Sequence, residues 1–257
     1  MTTTAAFPLN ALVTGASQGL GLAFVQALLD LPHCNLVYAA CRTPGTATDL
    51  ADLARAHPQR LRLLAVDVTR EADFVIAADT VRRETDRLHL VLNVAGLLHD
   101  GARGIKPERR LEDFNAEALM ASIAVNTLGP ALAAKHFLKL LTHDQRAVFA
   151  SLSARVGSIS DNRLGGWYSY REAKAAQNQF TRTFAIEAQR RAPNLIVAGL
   201  HPGTVDTALS KPFSANVAEG KLFKPSESVA HLMAVIDALT SADTGSFRAW
   251  DGLQIPW

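Results

Sequence analysis

The strictest constraint in this sequence is a rhythm. Short β-rich apolar runs alternate with longer stretches whose apolar residues recur at helical spacing. The runs predict strands over Leu9–Thr14, Asn35–Cys41, Leu61–Val66, Leu88–Val94, Ala147–Leu152 and Leu195–Leu200, with a seventh over Phe247–Trp250. The longer stretches predict helices over Gly19–Leu31, Thr46–His57, Glu71–Glu84, Glu117–Leu141, Tyr168–Arg191 and Glu227–Leu239. The first two stop before Pro32 and Pro58, because a residue ahead of proline is pushed out of the α region. The fourth should be interrupted near Gly129-Pro130. Such alternation specifies a Rossmann-type α/β fold: a doubly wound, mostly parallel seven-stranded sheet with helices on both faces. All 257 residues read as one domain, with no repeat or linker, and an apolar share of 48% suffices for one large core.

Sheets of this kind bind ligands beyond the carboxyl ends of their strands, at the point where the strand order reverses. The loops after the first, fourth, fifth and sixth strands therefore carry the interest. The first is Thr14-Gly-Ala-Ser-Gln-Gly-Leu-Gly21. Glycines in a strand-to-helix turn let the backbone approach a ligand, and the helix that follows offers unpaired N–H groups to a pyrophosphate. The same spacing also suits a purely structural turn. A dinucleotide with a free ribose 2′-OH calls for a carboxylate at the end of the second strand. This chain has Ala40-Cys41-Arg42 there, and the planar fork of Arg42 matches a 2′-phosphate, which favours NADP(H) over NAD(H). Gln18 stands in the glycine loop where a second cation would have added to that preference. Asp67, ending the third strand, either accepts from an adenine amino group or caps the helix that follows.

Tyr170 and Lys174 are four residues apart at the start of a long helix, so they share a face. An ammonium beside a phenol favours the phenolate and lowers its pKa, which suits proton exchange near neutrality. The same ammonium can hydrogen-bond a nicotinamide ribose.

These residues, with Asp67-Val68, Asn93-Val-Ala-Gly96, Val125-Asn-Thr127, Tyr170-Arg-Glu-Ala-Lys174 and Pro202-Gly-Thr-Val-Asp-Thr207, resemble the short-chain dehydrogenase/reductase family across nearly the whole chain. Ser158-Ile-Ser-Asp-Asn162, Gly165-Gly-Trp-Tyr-Ser-Tyr-Arg171 and the ending Trp250–Trp257 are similar to its C-factor-like, carbonyl-reductase-like branch. The resemblance implies that Tyr170 donates or accepts the proton, that Lys174 tunes it, and that Asn126 holds a water continuing the relay. It implies cofactor contacts at Gly15, Ser17, Gln18, Gly19, Leu20, Gly21, Arg42, Asp67 and Val68. Asn93, Ala95 and Gly96 would line the adenosine ribose. Pro202, Gly203 and Val205 would flank the nicotinamide, and Thr207 would reach a phosphate. The family also places a serine where it polarises the substrate carbonyl, as the second of two adjacent serines three residues before a glycine. Aligned on Gly157, that position holds Ala154. Ser153, one residue earlier, is the expected replacement, with Ser158 next.

The implied reaction is hydride transfer between nicotinamide C4 and a carbonyl carbon, with Tyr170 as acid and Ser153 hydrogen-bonding the same oxygen. A non-catalytic dinucleotide-binding regulator or signalling protein is the alternative, favoured by the altered serine and opposed by the retention of Asn126, Tyr170 and Lys174. Epimerisation or dehydration on the same fold is a further one. An apolar lid with Leu209, Pro212, Phe213, Leu222 and Phe223 points to a hydrophobic carbonyl substrate.

A formal net charge of +2 gives no basic stripe for nucleic acid, and Arg103-Gly-Ile-Lys-Pro-Glu-Arg-Arg110 reads as a solvated loop. Two cysteines make no disulfide framework, and no histidine spacing suggests a metal. The N-terminus lacks a leader pattern and no run approaches roughly 18 consecutive apolar residues, so a cytoplasmic protein with no membrane span is expected. Trp167, Trp250 and Trp257 are expected to pack rather than to hold substrate. The family resemblance implies a homodimer or homotetramer.

Overall fold

A computed structural model describes residues 9–216 and 220–257. The leader expectation at residues 1–8 and the tip of the expected lid, 217–219, lie outside the described residues. The elements in chain order are β1 (Leu9–Thr14), α1 (Gly19–Asp30), β2 (Cys34–Cys41), α2 (Thr48–Ala56), β3 (Leu61–Ala65), α3 (Glu71–Glu84) and β4 (Leu90–Asn93). They continue with α4 (Ala116–Ile123), α5 (Gly129–Leu141), β5 (Ala147–Leu152), α6 (Tyr168–Arg191), β6 (Leu195–His201), β7 (Thr204–Val205), β8 (Leu222–Phe223), α7 (Pro225–Ala238) and β9 (Ser246–Ala249).

Seven strands form one sheet in the order β3-β2-β1-β4-β5-β6-β9, and every pairing in it is parallel. The predicted Rossmann-type fold is thus present. Its central strands are mostly apolar and buried because helices cover both faces: all six residues of β5 are buried. Successive side chains serve opposite layers. Ala11 and Val13 face α1 and α7, among Phe24, Leu28, Leu232 and Ile236. Leu12, Val91 and Phe149 face α3, α5 and α6, among Phe74, Phe137 and Phe184. The chain winds outward from β1 through β2 to β3 and then returns to place β4 on the other side of β1. The crevice of this reversal opens beyond Thr14 and Asn93, which are register partners.

The interruption expected near Gly129-Pro130 is present and lies just before it. α4 passes into α5 through a single wide π turn over Ala124–Leu128. Pro130 sits in the first turn of α5, where its missing N–H is tolerated. By length and composition the run Ala116–Leu141 is apolar enough to cross a membrane, contrary to the sequence expectation. In the fold it is a core helix, with Leu132, Phe137, Leu140 and Leu141 buried beneath the sheet and Asn126 fully buried in the π turn.

The segment after β6 is more ordered than a loop. β7 and β8 pair in parallel as a small separate sheet, Thr204 to Leu222 and Val205 to Phe223. Gly203, at φ +78°, makes the turn, and a Cβ there would lie 2.7 Å from the Phe223 ring. Phe223 is accordingly buried and packs on Trp250, not in a lid.

Phe149 joins the sheet to α6, its ring edge-on to Phe184 at 5.3 Å between centroids and 1% exposed. Phe149→Ala is expected to cost about 3–5 kcal/mol in a denaturant unfolding experiment; a loss under about 1 kcal/mol would contradict this packing.

Candidate active site

The glycine loop lies against the mouth of β4. Gly15 has φ +68°, and a Cβ there would sit 2.7 Å from the Ala95 backbone; at Gly21 it would sit 2.0 Å from the Gly15 carbonyl oxygen. Only hydrogen fits at either position. Gln18 precedes α1 with no side-chain cap, so the first N–H groups of α1 have no side-chain acceptor there. Across the crevice the Thr207 methyl lies 3.3 Å from a Cβ added at Gly19, which brings the base of the lid segment to the loop. Ser17 is half-buried, and Leu20 packs against the core below.

At the β2 and β3 ends Arg42 is exposed and makes no ion pair among the described residues. It faces Asp67. Burial pushes the Asp67 carboxyl up, but the Thr69 hydroxyl and N–H, with the Arg42 charge, outweigh it and hold it below the usual range. Asp67 does not cap α3. Its Oδ1 accepts from Thr69 N and Oγ1 at 2.9 and 2.7 Å, and Arg70 occupies the cap position. Val68 is buried against Gly129.

Two buried polar atoms at the crevice have no hydrogen-bond partner among the described residues: Asn93 Oδ1 and His201 Nδ1, at the carboxyl ends of β4 and β6. Burial first, then the Arg155 charge, pushes His201 down to about 4, so its imidazole is neutral near pH 7. Pro202, Gly203 and Val205 follow directly, the Pro202 carbonyl held by Ser228 Oγ at 2.8 Å. A glycine cradle, uncapped helix start, unpaired guanidinium and orphaned amide oxygen together fit a phosphorylated dinucleotide.

Asn126 stands within the π turn. Its Nδ2 donates to Leu97 O at 2.8 Å and to Ser122 O and Oγ at 3.0 Å, and its Oδ1 accepts from Leu97 N at 3.1 Å. The side chain is spent on clamping the loop after β4. Pro130, four residues on, offers the Asn126 carbonyl no N–H.

Tyr170 and Lys174 lie in the first two turns of α6, 9% and 3% exposed. Lys174 Nζ lies 5.7 Å from the Tyr170 ring centroid and donates to Leu152 O at 2.7 Å and Gln177 Oε1 at 2.9 Å. Burial lowers Lys174 from 10.5 to about 7 and pushes the Tyr170 phenol well up. In the protein alone burial thus outweighs the lowering of the phenol that the spacing suggested.

The serines are arranged otherwise than expected. Ser153 Oγ donates to Asn178 Oδ1 at 2.6 Å, so its one proton is turned into α6. Ser158 is buried, and its Oγ accepts from Asp161 N at 3.1 Å, with no acceptor for its own proton among the described residues.

One site residue escaped the sequence reading. Glu108, in the loop expected to be solvated, is 3% exposed. Its carboxylate accepts from the N–H of Ser169 at 3.3 Å and from the Ser169 hydroxyl, and its carbonyl accepts from Trp167 N at 2.6 Å. It supplies the start of α6 with the acceptor that local sequence lacks, from 61 residues away, so no spacing could announce it. Trp167 enters α6 left-handed at φ +54° after two glycines at +63°. Its ring contacts both Tyr170 and Phe213, at 6.4 and 5.0 Å between centroids. It therefore stands at the site, unlike Trp250 and Trp257, which pack on Phe223 and Phe247. Beyond Phe213 opens a cleft of about 930 Å³, lined by His99, Arg103, Lys106, Glu108 and Pro212 among others.

Lys174 gives a stability signature. Between pH 7 and 10.5 the unfolded chain binds a proton at this lysine that the folded chain does not, so folded stability rises with pH across that window. Below it the cost of burying the ammonium is fully present. The Tm of Lys174→Met relative to wild type is expected to fall steadily as pH rises from 7 to 10.5; a gap independent of pH would contradict a titrating buried lysine.

A sequence profile described as short chain dehydrogenase matches residues 9–218. A 1-hydroxy-2-glutathionyl-2-methyl-3-butene dehydrogenase from Rhodococcus is 31% identical over 250 residues, covering 96% of this chain and 98% of that protein. Among solved structures, the NADPH-bound carbonyl reductase from chicken fatty liver superposes with a TM-score of 0.86 at 30% identity, covering 98% of this chain and 100% of that one. The carbonyl reductase Sniffer of D. melanogaster also gives 0.86, at 25% identity and the same coverage. With a family profile over most of its length and similar proteins that it covers almost entirely, the chain belongs to the short-chain dehydrogenase/reductase family of oxidoreductases, in its carbonyl-reductase-like branch.

Proposed function

We propose that this protein is an NADP(H)-dependent carbonyl reductase with Tyr170 as its proton donor. The observation that carries the reading is the burial of Tyr170 and Lys174 together at the start of α6, beside a crevice that fits a phosphorylated dinucleotide. The NADPH bound to the chicken carbonyl reductase supports the cofactor. Gly15, Ser17, Gln18, Gly19, Leu20 and Gly21 hold the pyrophosphate. Arg42 pairs with the 2′-phosphate, Asp67 and Val68 meet the adenine, and Asn93, Ala95 and Gly96 meet its ribose. Pro202, Gly203 and Val205 flank the nicotinamide, and Thr207 reaches a phosphate.

When bound, the reduced nicotinamide supplies a hydride to the carbonyl carbon. Tyr170 gives its phenolic proton to the carbonyl oxygen as the C–O double bond becomes a single bond, leaving an alcohol and a phenolate. Its burial keeps the phenol protonated at neutral pH, which suits a donor. Lys174 holds the ribose and stabilises the phenolate until a proton returns through a water on the Asn126 carbonyl. The second hydrogen bond to the substrate oxygen is assigned to Ser158 in place of Ser153, because the Ser153 proton is committed to Asn178. Trp167 and Phe213 form the apolar wall against the substrate, which suits a hydrophobic carbonyl compound. The displaced serine is the one observation that favours a non-catalytic regulator. A single-domain cytoplasmic homo-oligomer, with neither nucleic acid nor membrane as partner, completes the proposal.

The test follows NADPH oxidation with a panel of aldehydes, ketones and quinones. Wild type is expected to turn over at least one and Tyr170→Phe none. Ser158→Ala is expected to lower kcat on that substrate by about 10²-fold and Ser153→Ala by far less. Turnover that survives in Tyr170→Phe would sink the mechanism.

Arg42→Ala is expected to raise the KM for NADPH about 10–100-fold while leaving that for NADH nearly unchanged, the loss of a charge-assisted phosphate contact. Equal effects on both cofactors would remove Arg42 from the 2′-phosphate site.

A further inference from the structure

Lys174 is the only lysine or arginine buried among the described residues. An ammonium carries three N–H donors and, out of water, needs acceptors for them. No carboxylate faces it: burial is the only cause acting on its titration, with no charged side chain offsetting it. Its acceptors are two neutral carbonyls, Leu152 O at the end of β5 and Gln177 Oε1 one helical turn on.

Gln177 is itself 1% exposed and oriented from both ends. Its Nε2 donates to Leu152 O at 3.3 Å while its Oε1 accepts from Lys174. Flipping the amide would set an NH₂ group 2.9 Å from the lysine nitrogen, donor against donor, so the observed orientation is dictated. Lys174, Gln177 and the Leu152 carbonyl close a triangle. The neighbouring amides cannot stand in, since Asn126 is spent on Leu97 and Ser122 and Asn178 on Ser153 and Gly157. An apolar residue at 177 would leave the ammonium a single acceptor from the protein.

We propose that Gln177 is the positioning residue of the Tyr170–Lys174 pair. Its side-chain carbonyl anchors the lysine nitrogen against Leu152 and beside the Tyr170 ring, which leaves one N–H directed to the cofactor ribose. This rests on the reading of the pair as acid–base machinery. Gln177 touches neither substrate nor cofactor and acts only through Lys174.

The experiment is an NMR titration of the cofactor-free protein labelled with ¹³C at lysine Cε, the Lys174 signal being identified by its loss in Lys174→Met. Gln177→Met is close in size and lacks the acceptor. Its Lys174 is expected to titrate about one to two pH units below that of wild type, the value of one hydrogen bond to a charged group. Gln177→Glu sets a carboxylate in place of the amide and is expected to shift it upward. On the panel above, Gln177→Met is expected to lose about tenfold in kcat with little change in KM for the carbonyl. A merely structural glutamine would lower Tm and leave the lysine titration where it was, and a Lys174 titration in Gln177→Met that coincides with wild type overturns the proposal. If Gln177→Met does not fold, Gln177→Glu decides alone: an upward shift supports the proposal and an unmoved titration overturns it. Because the titration needs no turnover, an inactive wild type would defeat the reductase reading while the lysine signal still decides for or against Gln177.

Discussion

Every strand of the main sheet runs in one direction, and that single constraint arranges everything else. A parallel sheet gathers all its carboxyl ends along one edge, and each return must cross by a helix. Where the order reverses between β1 and β4, no crossover covers the edge, and a crevice stays open. Gly15 and Ala95 meet there at a distance no side chain would tolerate. Residues from the ends of β1, β2, β4, β5 and β6 converge on that edge from five parts of the chain because the sheet leaves them nowhere else to go.

α6 carries Tyr170 and Lys174, and burial sets their electrostatics. Its first turns press Tyr170 and Lys174 between β5 and the loop after β4, away from water. Desolvation moves both groups toward their neutral forms, the phenol up and the ammonium down to about 7. Neutral carbonyls, those of Leu152 and Gln177, hold the lysine in place of a carboxylate. At the head of the helix the opposite choice is made. Glu108 accepts from the Ser169 N–H, where the positive end of the helix favours an anion. That contact fastens the wall of the outer cleft to the element that bears Tyr170.

A chain of rings runs from the charged outer cleft to Tyr170. Phe213 links the cleft to Trp167, and Trp167 links it to Tyr170. Trp167 reaches that place only because Gly165 and Gly166 turn the chain left-handed ahead of it, and it shares their conformation at some cost in strain. Ser153 shows how one residue's shift along the chain just after β5 redirects a proton. A hydroxyl one position earlier falls on the opposite side of the chain and meets Asn178 instead of the crevice.

Much of this was legible in the sequence. Periodicity located β1, α3, β5 and α6 to the residue, and the glycine loop and the Tyr170–Lys174 spacing marked the site, because these are local patterns of burial and backbone conformation. The interruption near Gly129-Pro130 was legible, but its form, a wide π turn at Asn126 with Pro130 tolerated in the first turn after it, was not. Phe223 was taken for part of a lid, because hydrophobicity alone does not tell a ring packed on Trp250 from one facing a substrate. Glu108, Gln177 and the direction of the Ser153 hydroxyl were decided by tertiary structure alone. Each depends on which distant backbone group lies within hydrogen-bond reach, and that is settled only when β4, β5 and α6 are packed together. The sequence by itself determined the direction of the strands and the spacing that puts Tyr170 and Lys174 on one face of α6; the packed structure determined which neighbours hold that pair, because an unpaired buried donor or acceptor costs more than local pattern can reveal.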